Sequence, residues 1–490
     1  MMSPSQYLTP DRGRGYGGVR PGLSPRGPTD LFGGGGGRGD LSSLSRLASP
    51  EFTSTPSVPS LQAGQTTGQS QTFTNWVGRA DQALLAPTVW QRCEELGPVV
   101  QQCPNKELAS IWPTLVDRIF GLGGGRGWGL GQITRTQSAR DYAALASFLS
   151  ASGPLMGAGE RLLADPYIRY DFPVSRLSPS VVSQISSGSP SLSSYIASRL
   201  SHNLQHLTLN SFELLMFSFS VYIVQPYSQD NKLVAGESLY PFILEDYLSY
   251  YLPCDGTIPP PLPFQLPPAS HSPTHNTETS PTVTTPARKS LLRHQPVAAV
   301  SRPPPPPVSS QASANSAWRS ETLLNIFSCV WLTQFSSRPS SPGSGLTSSE
   351  LPIPVSDTLK IVRMLIKHLH YFANSGGPQD VTPLDQLKRA TLSGVKSQMY
   401  SLFKFIFSQW PHDTSFRLVL ETWLSFIQPW RYTDRGRPTQ DTDPAPVSPE
   451  RWQVWVAEFI LFYSEIIKLL LPRFFRMDLT ASRNAYMLYR

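Results

Sequence analysis

The 490-residue chain carries 48 Pro and 35 Gly, with only 39% hydrophobic and 15% charged residues. Pro, Gly and Ser fall in blocks that cannot bury enough apolar surface to offset their ordering entropy, so the composition argues for fewer than the two or three domains the length permits. The net charge of +7 favours anionic partners without choosing between nucleic acid and lipid headgroups, and Cys93, Cys103, Cys254 and Cys329 form neither a disulfide framework nor a CxxC metal knuckle, which points to a reducing, intracellular setting with no secretory signal.

Residues 1–72 read as a disordered Gly/Ser/Pro/Arg-rich tail. Its RG repeats suit a flexible tail, with RNA contact as the alternative, and Arg38-Gly39-Asp40 is a chance adhesion tripeptide. An N-terminal helical region is expected over 73–253. Helical periods run from Thr88 to Cys103 and again over 104–121, where Leu108, Ile111, Trp112, Leu115 and Ile119 make the inner face and Pro113 is expected to kink or split the helix. The stretch GLGGGRGWGLG at 121–131 looks like a nucleotide loop, but it follows a helix, misses the GxGxxG context and has no GxxxxGK[ST] to support it. A helix from Asp141 to Leu149 precedes an extended segment, YIRYDFPVSRLSP, and a Ser-rich linker. Ser193 to Val224 reads as two helices. The second is strongly apolar, yet its run from Phe212 to Val224 contains Glu213 and is shorter than the ~20 residues of a membrane span. A helix ending at Pro253, with Leu244, Tyr247, Leu248 and Tyr251 periodic, closes the region.

Residues 254–316 form a Pro-rich linker with IPPPLPFQLPP and RPPPPPV, read as a spacer, with docking on SH3-like or WW-like grooves as the alternative. A C-terminal helical region is expected over 317–490. It opens at AWRSETLLNIFSCVWL, with Ser320 as cap and Glu321 in the first turn. After a second linker, a helix from Asp357 to Asn374 is ended by Gly376, Gly377 and Pro378. Thr382-Pro383-Leu384-Asp385 is a capping-box-like start, and after Gly394 another helix runs to Trp410. Asp413 is expected to cap a helix whose stripe is Phe416, Val419, Leu420, Trp423, Leu424 and Ile427, stopped by Pro429. Ser448-Pro449 starts the longest expected helix, running to about Leu471 as a core helix with Glu458, Glu465 and Lys468 on a narrow wet stripe. The last segment, LTASRNAYMLYR, looks like a helix start that simply ends, so a truncated chain is expected. The expected fold class is all-α, an irregular multi-helix architecture, solenoid-like or bundle, with long disordered segments.

Candidate chemistry is sparse. Lys360, Arg363, Lys367 and His370 fall in one arc beside Leu359, Val362, Leu365, Ile366 and Leu369, a pattern that suits anionic membrane surfaces or phosphodiesters, or simply a solvated face. His202 and His206, spaced i, i+4, are compatible with a shared metal, but HNLQH lacks the glutamate of HExxH, and surface histidines are the simpler reading. Glu458 and Glu465 lie two turns apart, roughly 10 Å by helix rise, too far to grip one Mg²⁺. There is no GxSxG elbow. Residue chemistry alone does not reveal an enzyme.

The stretches AWRSETLLNIFSCVWL, IVRMLIKHLHYFANS, DTSFRLVLETWLSFIQPWRYT, PNKELASIWPTLVDRIFG and YDFPVSRLSP resemble the sphingomyelin phosphodiesterase 4 (neutral sphingomyelinase 3) family, from about Leu84 to Arg490. The resemblance implies Mg²⁺-dependent hydrolysis of sphingomyelin to ceramide and phosphocholine at neutral pH, on endoplasmic reticulum, Golgi and nuclear-envelope membranes. It implies sphingomyelin-containing membranes and nuclear-pore or nuclear-envelope proteins as partners, and nucleic acid is not expected among them. The family's hydrophobic C-terminal anchor has no counterpart in this sequence, so no transmembrane span is expected. Cleaving the diester needs an activated water, charge neutralisation and an acid for the leaving alkoxide. The residues of β-sandwich sphingomyelinases do not carry over, so catalytic, cofactor-binding and metal residues stay unassigned. Asp171, Glu213, Glu245, Asp246 and His370 are acids and a histidine within structured regions suited to such roles. The alternative is a non-enzymatic helical scaffold at the nuclear envelope, nuclear pore or endoplasmic reticulum membrane.

Overall fold

In the computed structural model, which describes residues 75–190, 192–225, 232–234, 237–262, 308–333, 355–376, 382–411, 413–433 and 449–489, helices start where short polar side chains meet orphan backbone N–H groups. The Gly-rich tail with its RG and RGD sequences, most of the Pro-rich linker and the second linker lie outside the described residues. The first region holds α1 (Trp76–Leu84), α2 (Val89–Gln102), α3 (Asn105–Phe120), α4 (Ala139–Leu149), α5 (Pro154–Leu162), β1 (Tyr170–Pro173), α6 (Pro179–Ser186), α7 (Ser194–Ala197), β2 (His206–Leu209), α8 (Ser211–Tyr222) and α9 (Leu239–Tyr251). The later part holds α10 (Val308–Phe327), which runs into a π turn at Ser328–Leu332, then α11 (Ser356–Asn374), α12 (Pro383–Gln409), α13 (Phe416–Ile427), α14 (Pro449–Glu458), α15 (Ile460–Phe475) and α16 (Ser482–Tyr489). The fold is all-α and irregular, as expected, apart from one small antiparallel pair. In that pair β1 and β2 set Tyr170 opposite Leu209 and Phe172 opposite Leu207, with all four side chains buried.

Several boundaries differ from the sequence reading for identifiable reasons. Helix α3 runs unbroken through Pro113, because burial of Trp112, Leu115 and Val116 pins the backbone on both sides of the missing N–H. Within the Ser-rich stretch, Ser178 caps α6 by accepting from Val181 N–H, and the helix buries Val181 and Ile185. Serine's low helix propensity hid it. His202 and His206 share no helix: α7 ends at Ala197, and His206 opens β2. Helix α10 begins at Val308, so Ser320 is interior, and its hydroxyl donates to the Tyr251 carbonyl at 2.5 Å instead of capping. Helix α12 passes through the exposed Gly394 and, at 27 residues, is the longest element among the described residues. The expected long helix from Pro449 breaks at Phe459 (φ −101°, ψ 21°), whose ring is buried 3.8 Å from the Trp455 ring. The N-cap of α13 is Ser415, while Asp413 accepts from Ser415 N–H at 2.8 Å.

The glycine stretch after α3 is a structural reversal. Gly121 closes the helix at φ 69°, and a Cβ there would sit 2.5 Å from the Gly127 nitrogen. The reversal brings Trp128 N–H to the Ile119 carbonyl at 2.9 Å and buries the indole.

Helix α8 is the hub of this packing. All of its side chains from Ser211 to Tyr222 are buried, and α3, α5, α10, the π turn and both strands pack on it. Phe219 stacks on Tyr240 at 4.4 Å and meets Tyr247 edge-on at 5.1 Å. Farther along, α11 packs on α13, and α12 packs on α10, α11 and α15. Truncation of the hub, Phe219→Ala, is expected to lower unfolding stability by about 3–5 kcal/mol, read as a shift in the urea midpoint. An unshifted midpoint contradicts this packing.

Candidate functional site

Glu213, the one acid on the apolar α8, is built into the start of that helix. Asn210 Oδ1 accepts from Glu213 N–H at 2.9 Å, and Glu213 Oε2 accepts from Asn210 N–H at 3.0 Å, a reciprocal capping box. The other oxygen, Oε1, accepts from Arg199 Nε at 2.7 Å and Nη2 at 2.6 Å, and from the Tyr195 hydroxyl at 3.0 Å. The carboxylate is buried and engaged by both oxygens. Burial, reinforced by Glu213, pushes the Tyr195 phenol well above its usual range. These four donors tie the β2–α8 connection to α7, and little lone-pair capacity is left for a metal ion.

The other candidate residues are scattered through the fold. Asp246 on α9 accepts from Ala151 N–H at 2.7 Å and so anchors the turn between α4 and α5. Asp171 is exposed on β1 opposite Thr208, and Glu245 is exposed on α9. His370 is fully buried on α11, stacked 5.5 Å from Tyr432 and edge-on to Trp455, with Nε2 3.0 Å from the Phe426 carbonyl. Burial pulls its pKa down from 6.5 to about 4, so the ring is neutral near pH 7. These five residues lie on different elements, β1, α8, α9 and α11.

The expected basic arc on α11 is occupied. Arg363 pairs with Glu421 of α13, Lys360 pairs with Asp357 at 2.8 Å, and His370 is neutral inside the α11–α13 packing. Lys367 is held below the usual lysine range by burial first and by Arg363 second. For Glu421, burial acts to raise the carboxyl, but Arg417 and Arg363 override it and hold it below the usual range. Arg363 and His370 of this arc therefore belong to the seam with α13, while Lys360 stays exposed. His202 sits in an exposed turn. Glu458 on α14 meets Ser393 Oγ at 2.8 Å and Lys396 at 3.8 Å, whereas Glu465 on α15 pairs with Lys468 at 2.6 Å.

Two arrangements were invisible to local spacing. Arg319, 1% exposed on α10, donates to Glu160 of α5 and to the Pro260 carbonyl, and joins three segments across 159 residues of sequence. Burial raises the Glu160 carboxyl, and Arg319 works against that rise. Cys254 Sγ lies 3.7 Å from His368 Nε2, but that nitrogen is 2.8 Å from the Leu252 carbonyl and must carry its proton there. It is therefore not placed to accept the thiol proton. Among the described residues no group of three or more His, Cys, Asp or Glu is placed to hold a metal ion.

Comparison with known proteins adds what this geometry does not supply. The profile of a family described as mitochondrial-associated sphingomyelin phosphodiesterase matches residues 69–339 and 336–490. Proteins named sphingomyelin phosphodiesterase 4 from Danio rerio, Xenopus laevis and Homo sapiens are 33%, 32% and 32% identical to the chain, each match covering 82% of it and 52%, 54% and 51% of the relative. The chain thus spans about half the length of the curated relatives it matches. No solved structure matches it.

Because His370 has a folded pKa of about 4 against 6.5 unfolded, the unfolded chain takes up the proton first as pH falls. Its contribution is fully present above about pH 6.5 and is lost toward pH 4, up to about 3 kcal/mol. His370→Asn is expected to flatten that part of the stability-versus-pH curve, measured by urea unfolding across pH. Identical slopes for the two proteins rule this out.

Proposed function

The chain belongs to the mitochondrial-associated sphingomyelin phosphodiesterase family, and on that premise we propose that it acts as a neutral, Mg²⁺-dependent phosphodiesterase that hydrolyses sphingomyelin to ceramide and phosphocholine. The observation that carries this reading is the family match across both halves of the structured chain, supported by relatives named for this activity. Its place of action is proposed to be sphingomyelin-containing membranes of the endoplasmic reticulum, Golgi and nuclear envelope, while the family description adds a mitochondrial association.

The reaction requires a water delivered to phosphorus, neutralisation of the charge that builds on the phosphoryl oxygens, and a proton for the departing ceramide oxygen. Glu213 is engaged by four donors, and His370 is held neutral by burial, so neither is free to move a proton at the surface. Asp171 and Glu245 are the exposed acids of the five candidates. Bound Mg²⁺ would supply charge neutralisation and activate the water. No step is assigned to a described residue through it.

A second reading, a non-enzymatic helical scaffold at the nuclear envelope, nuclear pore or endoplasmic reticulum membrane, is favoured by one observation. The buried Glu213 and the partly buried Glu160 are both committed to arginines that hold helices together. Highly purified chain incubated with sphingomyelin vesicles at neutral pH is expected to release phosphocholine, and a chelator is expected to stop the release. Release that persists when every acid and histidine of the described regions is replaced belongs to a contaminant and decides for the scaffold.

A further inference from the structure

Helix α15 is apolar on two sides, and only one of them is covered. At about 100° per residue, Phe462, Ile466 and Leu470 fall together on the side that packs toward α12, and all three are buried. The Trp423 indole donates to the Phe462 carbonyl at 3.0 Å, which fixes that side further. Ile460, Ile467, Leu471 and Phe475 fall in an arc of roughly 80° on the other side. They are 51%, 41%, 48% and 88% exposed.

A surface helix ordinarily turns a polar face to water, so a helix apolar on both sides needs a second apolar environment. The flanking charges indicate which kind. Lys468 stands at the edge of the exposed arc and is paired with Glu465 at 2.6 Å, whereas Arg476, just beyond the end of α15, and Arg483, on α16, are exposed. Asp478, between them, is turned onto Thr480 by hydrogen bonds of 2.9 and 2.5 Å. Tyr486 and Tyr489, 56% and 88% exposed on α16, are aromatics of the type that sit at lipid–water boundaries. The helix does not span a membrane: its 16 residues rise about 24 Å against a hydrocarbon core of about 30 Å, and its inner side is fixed to the fold. Among the described residues no helix is long and apolar enough to cross.

We propose that the outer face of α15, bordered by Arg476 and Arg483, is a docking surface that lies in the plane of a lipid bilayer bearing anionic headgroups. The apolar side chains enter the boundary between headgroup and acyl chain, and the cations meet lipid phosphates and carboxylates. The surface rests on the lipid-directed reading above and adds where the chain meets the membrane. It is read by binding and not by turnover, so it fails or stands separately from phosphodiesterase activity.

The test is flotation of the full chain with phosphatidylcholine–sphingomyelin vesicles, with and without phosphatidylserine. The unmodified chain is expected to float, more strongly with phosphatidylserine and less strongly at high salt. The triple variant Ile467→Asn, Leu471→Gln, Phe475→Gln changes exposed positions only. Its melting temperature should be unchanged, and its vesicle affinity should fall roughly tenfold or more. Arg476→Glu with Arg483→Glu should abolish the phosphatidylserine preference. Unmodified chain that fails to float, or a triple variant that floats as well as the original, overturns the proposal. So does a dimer of the unmodified chain that the triple variant dissolves without any loss of flotation, since a second copy then covers the face.

Discussion

Complete burial of α8 is the constraint on which the rest of the structure depends. A helix with no solvent face must have its polar groups satisfied by protein, because an unpaired buried donor or acceptor costs about 1–3 kcal/mol. Neighbouring helices meet this requirement with long side chains that carry a single donor at the tip. Trp112 donates to the Ser211 carbonyl at 3.3 Å, Trp331 to the Ser220 carbonyl at 2.9 Å, and Tyr240 to the Phe219 carbonyl at 2.9 Å. Ser211 itself donates to the Gly159 carbonyl at 2.7 Å, at a glycine whose missing Cβ would stand 3.0 Å from the Trp112 ring. Each of these bonds also fixes the approach of α3, α5, α9 or the π turn after α10. The aromatic composition of the chain is therefore as much a hydrogen-bonding device as a source of buried area.

The same logic governs the buried charges. The buried Glu213 takes Arg199 from the end of α7, and the partly buried Glu160 takes Arg319 from α10, pairs that serve as a condition of folding more than as a gain in stability. Asp246 holds a loop, and His370 serves as a neutral aromatic-like plate between Tyr432 and Trp455. The residues that looked most chemical in the sequence are thus those the fold uses most heavily. Function is left to the family relation and to the surface, where α15 presents apolar side chains flanked by cations.

Periodicity recovered the inner face of α3, the stripe of α13 and the buried turns of α9, because each of those helices has one dominant apolar side. It recovered the all-α class for the same reason. It missed α6, whose serines resemble linker composition, and the β pair, whose four-residue strands are too short for alternation to register. The break at Phe459 also escaped it, since nothing in VWVAEFILFY departs from a helical pattern and the bend is imposed by ring stacking on Trp455. For candidate residues the limit is different. Spacing put His370 in a basic arc, but whether a helix face meets water or another helix is decided by elements dozens of residues away, here α13. The Arg319–Glu160 pair shows the same point over a longer separation.

The central claim is that α8 is enclosed on every side and satisfied from within. Native-state hydrogen exchange tests it most directly. The amides of α8 are expected to exchange only through global unfolding, and those of α15 and α16 through smaller local openings. Exchange of α8 amides at the rate of α16 amides would contradict the account, since it would mean that the hub opens on its own.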